Sequence, residues 1–263
     1  MRRLIVWGAG TLGSRVARQW VLAGGKAIGV TQTTHRHADL VQHGIEPWLD
    51  SPESILTTED MLLLALPGHK IQQQAVERLQ QTGNSVPFRA VFISVTGYYG
   101  VIPTETVINE KTPVGQDKRA LSIANAEKQF VDWGGDRGVI MRAGGLYCPT
   151  RGPAHAIAKR GAPRPGPANK TMALIHYDDL ATVLINAFQH NNPHSVYVTV
   201  TPPCPTRGEF FVEACEQLAL PAPIFTDPLS NPPIQYDVTR LRQELLPNPA
   251  YPDWRSALGS SRI

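Results

Sequence analysis

Cysteine is scarce in this chain. The 263 residues hold three, Cys148, Cys204 and Cys215, an odd number with no C-x-x-C spacing. That pattern argues against a disulfide framework and against a zinc site, so no metal is expected and reduced thiols in a cytoplasm fit best. Runs of one charge are also missing. The formal net charge is only +3 and no stretch carries five or six like charges, so no nucleic-acid partner is expected. No apolar run approaches the roughly 18 residues of a membrane span. The N-terminus runs straight into a strand pattern without a small-residue cleavage site, so no membrane partner and no secretion signal are read. What is present is ordinary for a globular protein: 42% hydrophobic and 18% charged residues. The length suits one large α/β domain or a domain with a smaller appendage.

The first half alternates short apolar runs with helical periodicity. Residues 4–6 read as a buried strand, and Leu12, Val16, Trp20 and Val21 recur at helical spacing before Gly24-Gly25. "KAIGVTQ", "DMLLLALPG" and "AVFISVTG" read as further strands; "ADLVQHG" and "HKIQQQAVERLQQTG" read as helices, the second with Ile71, Ala75, Val76 and Leu79 inward. Ser51 followed by Pro52 offers another helix start. This alternation predicts a doubly wound parallel sheet covered on both faces, an α/β fold of the Rossmann type. From about residue 141 the texture changes to a strand and then an irregular loop rich in Gly, Pro, Arg and Lys. "IHYDDLATVLINAFQH" predicts a helix capped by Asp178 or Asp179, with Leu180, Val183, Leu184, Ala187 and Phe188 inward. "SVYVTV" is a strand, and Thr206 with Glu209 has capping-box spacing. Residues 1–170 are therefore expected to form a dinucleotide-binding domain, with residues 171–263 completing the sheet and forming a small substrate region.

Gly8, Gly10 and Gly13 in "LIVWGAGTLGSR" satisfy G-x-G-x-x-G with a strand before and a helix after. The first glycine permits the tight turn, the second lets backbone approach a pyrophosphate, and the third allows close helix–strand packing. An acidic residue ~20 positions on would accept the 2′-hydroxyl of an NAD ribose. Here Thr33, Thr34, His35 and Arg36 occupy that stretch, and no carboxylate follows until Asp39. Such a neutral and basic cluster suits a 2′-phosphate, with Arg36 able to pair with it; a solvated loop is the alternative. NADP is the expected cofactor, with NAD the other option. The expected cofactor contacts are Gly8, Gly10, Thr11, Leu12, Gly13, Thr33, Thr34, Arg36, Leu66, Pro67 and Ser94.

Other segments carry a resemblance. "SVTGYYG" resembles the segment after the fifth strand of extended short-chain dehydrogenases/reductases, which include the sugar-nucleotide epimerases. "RALSIANAEKQF", with Ala126-Glu127, resembles their active-site helix, and "MRAGGLYCP" their R-x-x-x-x-Y-G-P segment. "LIHYDDLATVLINAF" resembles the H-x-x-D helix start through His176 and Asp179; "TRGEFFVEACEQLAL" and "YPDWRSAL" resemble the substrate-domain helix and the closing segment. The resemblance spans nearly the whole chain and implies hydride chemistry by a Ser/Thr, Tyr and Lys set, the Lys lowering the Tyr pKa.

At the centre the chain departs from that pattern. Counting back from Glu127 puts Arg119 at the Tyr position and Ile123 at the Lys position, and no Y-x-x-x-K occurs anywhere. Arg119 is protonated at any relevant pH and cannot act as a base. Val95 takes the usual hydroxyl position, between Ser94 and Thr96. The chain thus resembles the atypical branch of the superfamily, with the usual catalytic set lost. Thr96 and Tyr98 are the candidate replacements in catalysis, although a threonine there can equally cap a strand end; Tyr99 is expected to pack. Arg142 and Arg151 are candidate substrate contacts for phosphate or carboxylate, with surface charge as the alternative. His176 is expected to be a buried hydrogen-bonding residue. Arg151, Lys159, Arg160, Arg164 and Lys170 form a basic loop that can attract an anionic substrate or simply be solvated.

Two readings follow. In the first, the protein is an NADP-dependent oxidoreductase or isomerase acting on a small anionic molecule, possible nucleotide sugars included, with an altered proton donor. In the second, it is a non-catalytic sensor of bound dinucleotide. Members of the resembled family often pair through the helix near residues 115–130, so the resemblance allows a homodimer, while the sequence itself gives no oligomeric state.

Overall fold

A computed structural model describes residues 1–83, 86–101, 107–158, 164–217, 219–226 and 234–259. Along the first half run β1 (Leu4–Trp7), α1 (Thr11–Leu22), β2 (Ala27–Thr31), α2 (His37–Gln42), β3 (Glu46–Leu49), β4 (Met61–Leu64), α3 (His69–Gln81) and β5 (Arg89–Val95). A short strand β6 (Val107–Ile108) precedes α4 (Lys118–Gly134), β7 (Gly138–Ala143), β8 (Gly145–Tyr147), α5 (Pro153–Ala158) and β9 (Gly166–Pro167). The remainder holds β10 (Leu174–His176), α6 (Tyr177–Gln189), β11 (Val196–Thr199), α7 (Arg207–Gln217), β12 (Phe225–Thr226), β13 (Gln235–Tyr236), α8 (Thr239–Glu244) and α9 (Trp254–Gly259).

Seven parallel strands form the central sheet in the order β11-β7-β5-β4-β1-β2-β3. The order reverses at β1, which has β2 on one side and β4 on the other. Parallel strands need crossovers, and these place a helix layer on each face. Strand alternation then divides the core. Leu4, Val6, Met61 and Leu63 face α1 and α6, while Ile5, Trp7, Leu62 and Leu64 face α3 and α4. The near-continuous apolar runs of β1 and β4 have this cause: both faces of each strand are buried. A third cluster, with Phe210, Phe211 and Trp254 at its centre, holds α7 and α9 over β8 and β10. No helix among the described residues is long and apolar enough to cross a membrane, and no group of three or more His, Cys, Asp or Glu could hold a metal.

Several local expectations are revised. The Ser51-Pro52 helix start yields one turn, closed by Ile55 and Leu56 amides on the Pro52 carbonyl. Strand β3, unread in the sequence, carries Pro47 and has no wholly buried residue, which is how an edge strand escapes an apolar pattern. Ile71 faces outward at 41% exposure, and Gln72 takes the inward position by donating to the Ile93 carbonyl at 2.7 Å. The cap of α6 is His176, whose Nδ1 accepts the Asp178 amide at 3.2 Å. Asp179 turns into the core, where the Ala250 and Tyr251 amides satisfy it at 2.8 and 3.1 Å. Buried Arg89 closes the other end of α6, donating to the carbonyls of Ala187, Phe188, His190 and Asn191. A guanidinium there complements the negative end of the helix dipole.

Candidate functional site

The glycine turn lies at the reversal point, on the edge where all seven strands end, the usual position for a ligand crevice in such sheets. Its three glycines have three different surroundings. Gly8 has φ +102°, and a Cβ built there would stand 2.6 Å from the Ala65 carbonyl oxygen. A Cβ on Gly13 would stand 2.3 Å from the Gly8 oxygen and 2.8 Å from Val6 Cγ1. Those two positions are filled by the protein's own packing. Gly10 differs: a Cβ there would meet nothing within 4 Å. It opens α1 as the residue before the first turn, no side chain caps that end, and the first turn holds no acidic residue. The amides of Thr11, Leu12 and Gly13 are the uncapped donors that such a helix start aims outward. Leu12 also anchors the helix, its side chain 8% exposed.

A crevice of about 230 Å³ extends from the turn, lined by Trp7, Gly8, Ala9, Gly10 and Val30, then by Thr31 to Thr33, Arg36, Asp50, Leu66, Pro67 and Ile71. Of the expected cofactor contacts, Gly8, Gly10, Thr33, Arg36, Leu66 and Pro67 line it; Thr34 is exposed on the short 3-10 turn beside it. Arg36 folds over the turn, donating to the Ala9 carbonyl and the Ser14 hydroxyl at 3.3 Å each and to Asp39 at 3.5 Å. Asp50 was not legible in sequence. It follows β3, its amide bonds the Thr31 carbonyl at 2.8 Å, and its φ of +75° turns it onto the crevice. Ile71 lines the crevice too, which explains its outward position.

Ser94 lies away from this crevice. It is 2% exposed and donates to Glu127 at 2.5 Å. Glu127, on α4, holds the buried Arg142 of β7 through contacts of 2.8 to 3.2 Å. Arg142 also donates to the Tyr99 hydroxyl at 3.2 Å and to the Glu110 carbonyl at 3.4 Å, and its guanidinium lies 3.4 Å above the Tyr98 ring. Arg142, read in sequence as a substrate contact, is thus occupied by the core. Its pKa rises despite burial because the Glu127 carboxylate holds the proton in place. Tyr99 packs at 2% exposure, donates to the Asn109 carbonyl at 3.0 Å, and has its pKa pushed up to about 12 by burial.

Thr96 and Tyr98 stand on the 3-10 turn that ends β5, both half-buried. Among the described residues neither hydroxyl has a hydrogen-bond partner. Arg119 and Ile123 face this same turn: a Cβ on Gly97 would lie 3.2 Å from Ile123 Cδ1 and 3.6 Å from Arg119 Nη2. The two side chains border the turn because Asp117 caps α4, accepting the Arg119 and Ala120 amides at 3.0 Å each. Arg151 is exposed and donates to the Tyr177 hydroxyl at 3.2 Å. Lys159 and Arg160 of the basic loop lie outside the described residues. His176 is buried against Tyr251, ring centroids 3.6 Å apart, and burial pushes its pKa down to about 4.

No family model matches this sequence, and no curated protein matches it. Solved structures do share its fold. A functionally unknown conserved protein from Silicibacter pomeroyi is 22% identical with a TM-score of 0.76, over 98% of this chain and 97% of that one. The Bordetella bronchiseptica enzyme WbmH, solved in complex with NAD+, is 16% identical with a TM-score of 0.75, over 98% and 96%. A UDP-glucose 4-epimerase from Thermotoga maritima, solved with UDP-glucose, is 15% identical with a TM-score of 0.73, again over 98% and 96%. The chain shares its fold with these structures along almost its entire length.

Proposed function

We propose that this protein binds a nicotinamide dinucleotide at the glycine turn and acts as an oxidoreductase or isomerase on a small anionic molecule, without a Tyr–Lys pair. The observation that carries the reading is the contrast among the glycines: Gly8 and Gly13 are packed shut by the fold, while Gly10 faces open space at an uncapped helix start. A turn kept only for structure has no need of that opening. The Gly10 to Gly13 backbone would hold the pyrophosphate. Leu66 and Pro67, on the loop after β4, would flank the dinucleotide. Arg36 would face a 2′-phosphate, which makes NADP the preferred form. When bound, the dinucleotide supplies hydride transfer.

The chain's own residues then orient the substrate and handle its proton. Thr96 is suited to hydrogen-bond a substrate oxygen. The Tyr98 hydroxyl, on the same turn and without a hydrogen-bond partner among the described residues, is the proposed proton donor. Arg119, always protonated, can orient an oxyanion but cannot take a proton. A second reading, a dinucleotide sensor without turnover, is favoured by one observation: Arg119 and Ile123 border the turn where a Tyr–Lys pair would act.

Fluorescence titration with NADPH and NADH tests the binding step; saturable binding is expected, and failure of both to bind refutes both readings. NADPH oxidation over a panel of phosphorylated and carboxylated carbonyl compounds separates them. Turnover that falls at least tenfold in Thr96→Ala and Tyr98→Phe supports the enzyme. Binding without turnover on any compound supports the sensor.

A further inference from the structure

Arg142 is gripped by all three of its guanidinium nitrogens. Nε donates to the two Glu127 oxygens at 3.1 and 3.2 Å, Nη2 to Glu127 Oε2 at 2.8 Å, and Nη1 to the Tyr99 hydroxyl and the Glu110 carbonyl at 3.2 and 3.4 Å. Glu127 is fixed in turn by the Ser94 hydroxyl. The N–H groups of a guanidinium all point along its plane, so a group held on every nitrogen has little freedom to turn. What these contacts leave is its face, and the Tyr98 ring lies on it, the ring centroid 3.4 Å from Cζ. At that distance a tilted guanidinium would drive a nitrogen into the ring, so the two planes stack. The Tyr99 ring meets Tyr98 edge-on, with 5.3 Å between centroids and 81° between planes, and is itself anchored through its hydroxyl to the Asn109 carbonyl. Tyr98 thus has a plane beneath it and an edge beside it, both tied to the core.

This hold falls on the ring and spares the hydroxyl, which has no hydrogen-bond partner among the described residues. Covering an ion pair needs only the ring, and a phenylalanine would supply that. Presenting a proton donor needs a fixed ring and an uncommitted hydroxyl together, because the donor must be kept within about half an ångström of its productive position. The resembled family has a lysine one helical turn after its tyrosine. Here Ile123 occupies that place, and a guanidinium from β7 lies beneath Tyr98 instead. A lysine could not do the same from β7, since an ammonium has no plane on which a ring can lie flat.

We infer that Arg142 is a positioning residue. Stacked beneath the Tyr98 ring and locked by Glu127, it fixes the direction in which that phenol presents its hydroxyl at the sheet edge. The inference rests on the proposed function, which makes Tyr98 the proton donor, and names the residue that aims it. Arg142 acts only through the ring.

The test replaces the seven tyrosines of the full chain with 3-fluorotyrosine and follows the fluorine resonances. The line that vanishes in Tyr98→Phe belongs to Tyr98. It should stand apart from free fluorotyrosine as a single narrow line, and saturating NADH should move it. Arg142→Lys keeps a cation for Glu127 but removes the plane. The Tyr98 line should then return toward the free position and lose its response to NADH, while the protein stays folded and binds NADH as the parent does. Where the lysine variant does not fold, Glu127→Leu combined with Arg142→Met removes both charges at once, a swap that cores commonly accept, and the same change is expected. On any carbonyl compound that is turned over, Arg142→Lys and Tyr98→Phe should each lower kcat about tenfold and their combination no further, because one acts through the other. A Tyr98 line unchanged by loss of the guanidinium, a line unmoved by bound NADH, or kcat losses that multiply would overturn the inference. Failure of the parent protein to bind NADH would strike the proposed function instead, and the Tyr98 lines compared without dinucleotide still decide whether Arg142 holds the ring.

Discussion

Two turns on the same sheet edge have opposite characters. At Gly8–Gly13 the work is done by backbone: two glycines are packed shut, the third faces open space, and no charged side chain is buried. At Thr96–Tyr99 it is done by side chains. A buried carboxylate and guanidinium, Glu127 and Arg142, lie beneath the turn, and Ser94, Tyr98 and Tyr99 are arranged around them. The first turn has the open backbone on which the proposed dinucleotide binding rests. The second is built on a buried ion pair, with Arg119 bordering it from α4. Binding and chemistry are thus separable on this fold, one read from missing side chains and the other from their identity.

The sharpest break in the comparison is Glu127→Ala. Arg142 would be left charged, 5% exposed and without its carboxylate. An uncompensated buried charge of this kind costs about 3–5 kcal/mol. Urea unfolding should show that loss in midpoint, with NADH affinity changing little in whatever protein remains folded. A loss below ~1 kcal/mol would mean that the second turn is not built on the pair.

Acid should also act at the start of α6. His176 is 2% exposed, its Nε2 has no hydrogen-bond partner, and its pKa is pushed down to about 4. An unfolded histidine binds its proton near pH 6.5. Between those values the unfolded chain holds the extra proton, so stability is full above about pH 6.5 and falls as the pH drops toward 4. The loss amounts to ~3 kcal/mol across that window. His176→Asn keeps a side chain able to cap α6 and removes the titration, so its stability should be flatter over the same range. An unchanged slope would assign the acid sensitivity elsewhere.

The glycine turn predicts the reverse of the Glu127 result. At φ −77° with no atom within 4 Å of an added Cβ, Gly10→Ala should cost at most about 1 kcal/mol of stability, the scale of a poorer helix cap. Its methyl group would stand where the pyrophosphate must approach, so NADH and NADPH affinity should fall at least tenfold. Stability lost together with binding would show that Gly10 is structural, like its two neighbours.

The sequence made the first turn legible and the second only by subtraction. Gly8, Gly10 and Gly13 sit within six residues, and local spacing carries their meaning. The sheet was legible for a similar reason, since β1, β4 and β5 are apolar runs buried on both faces. The second site draws on β5, the turn after it, α4 and β7, so that residues as far apart in sequence as Ser94 and Arg142 meet around Glu127. Nothing local in the sequence says that Arg142 turns inward to Glu127 while Arg119 stays at the surface. Arginine has one letter for both fates, and only the partner decides. Asp50 is illegible for a kindred reason: the ribose-binding acid is expected after β2, whereas the carboxylate on the crevice comes after the neighbouring strand β3.

Asp50 and Arg36 line the same crevice with opposite charge, and this sets the smallest and most selective prediction. Every contact that Arg36 makes is 3.3 Å or longer, so its guanidinium is weakly tethered and free to turn toward a 2′-phosphate. Asp50 is itself engaged by Arg78 at 3.7 Å, which tempers its repulsion of a second anion. Arg36→Ala should therefore lower NADPH affinity about tenfold, one charge-assisted contact discounted for exposure, and leave NADH within twofold. Asp50→Asn should move the ratio the other way by a smaller factor, because a carboxylate across the crevice from the 2′-phosphate disfavours it at a distance that salt screens. Titrations at two ionic strengths separate the effects: the Asp50 shift should shrink at high salt and the Arg36 shift should persist in part. Equal losses for both dinucleotides in Arg36→Ala would instead place this arginine on the pyrophosphate, over the glycine turn it already covers.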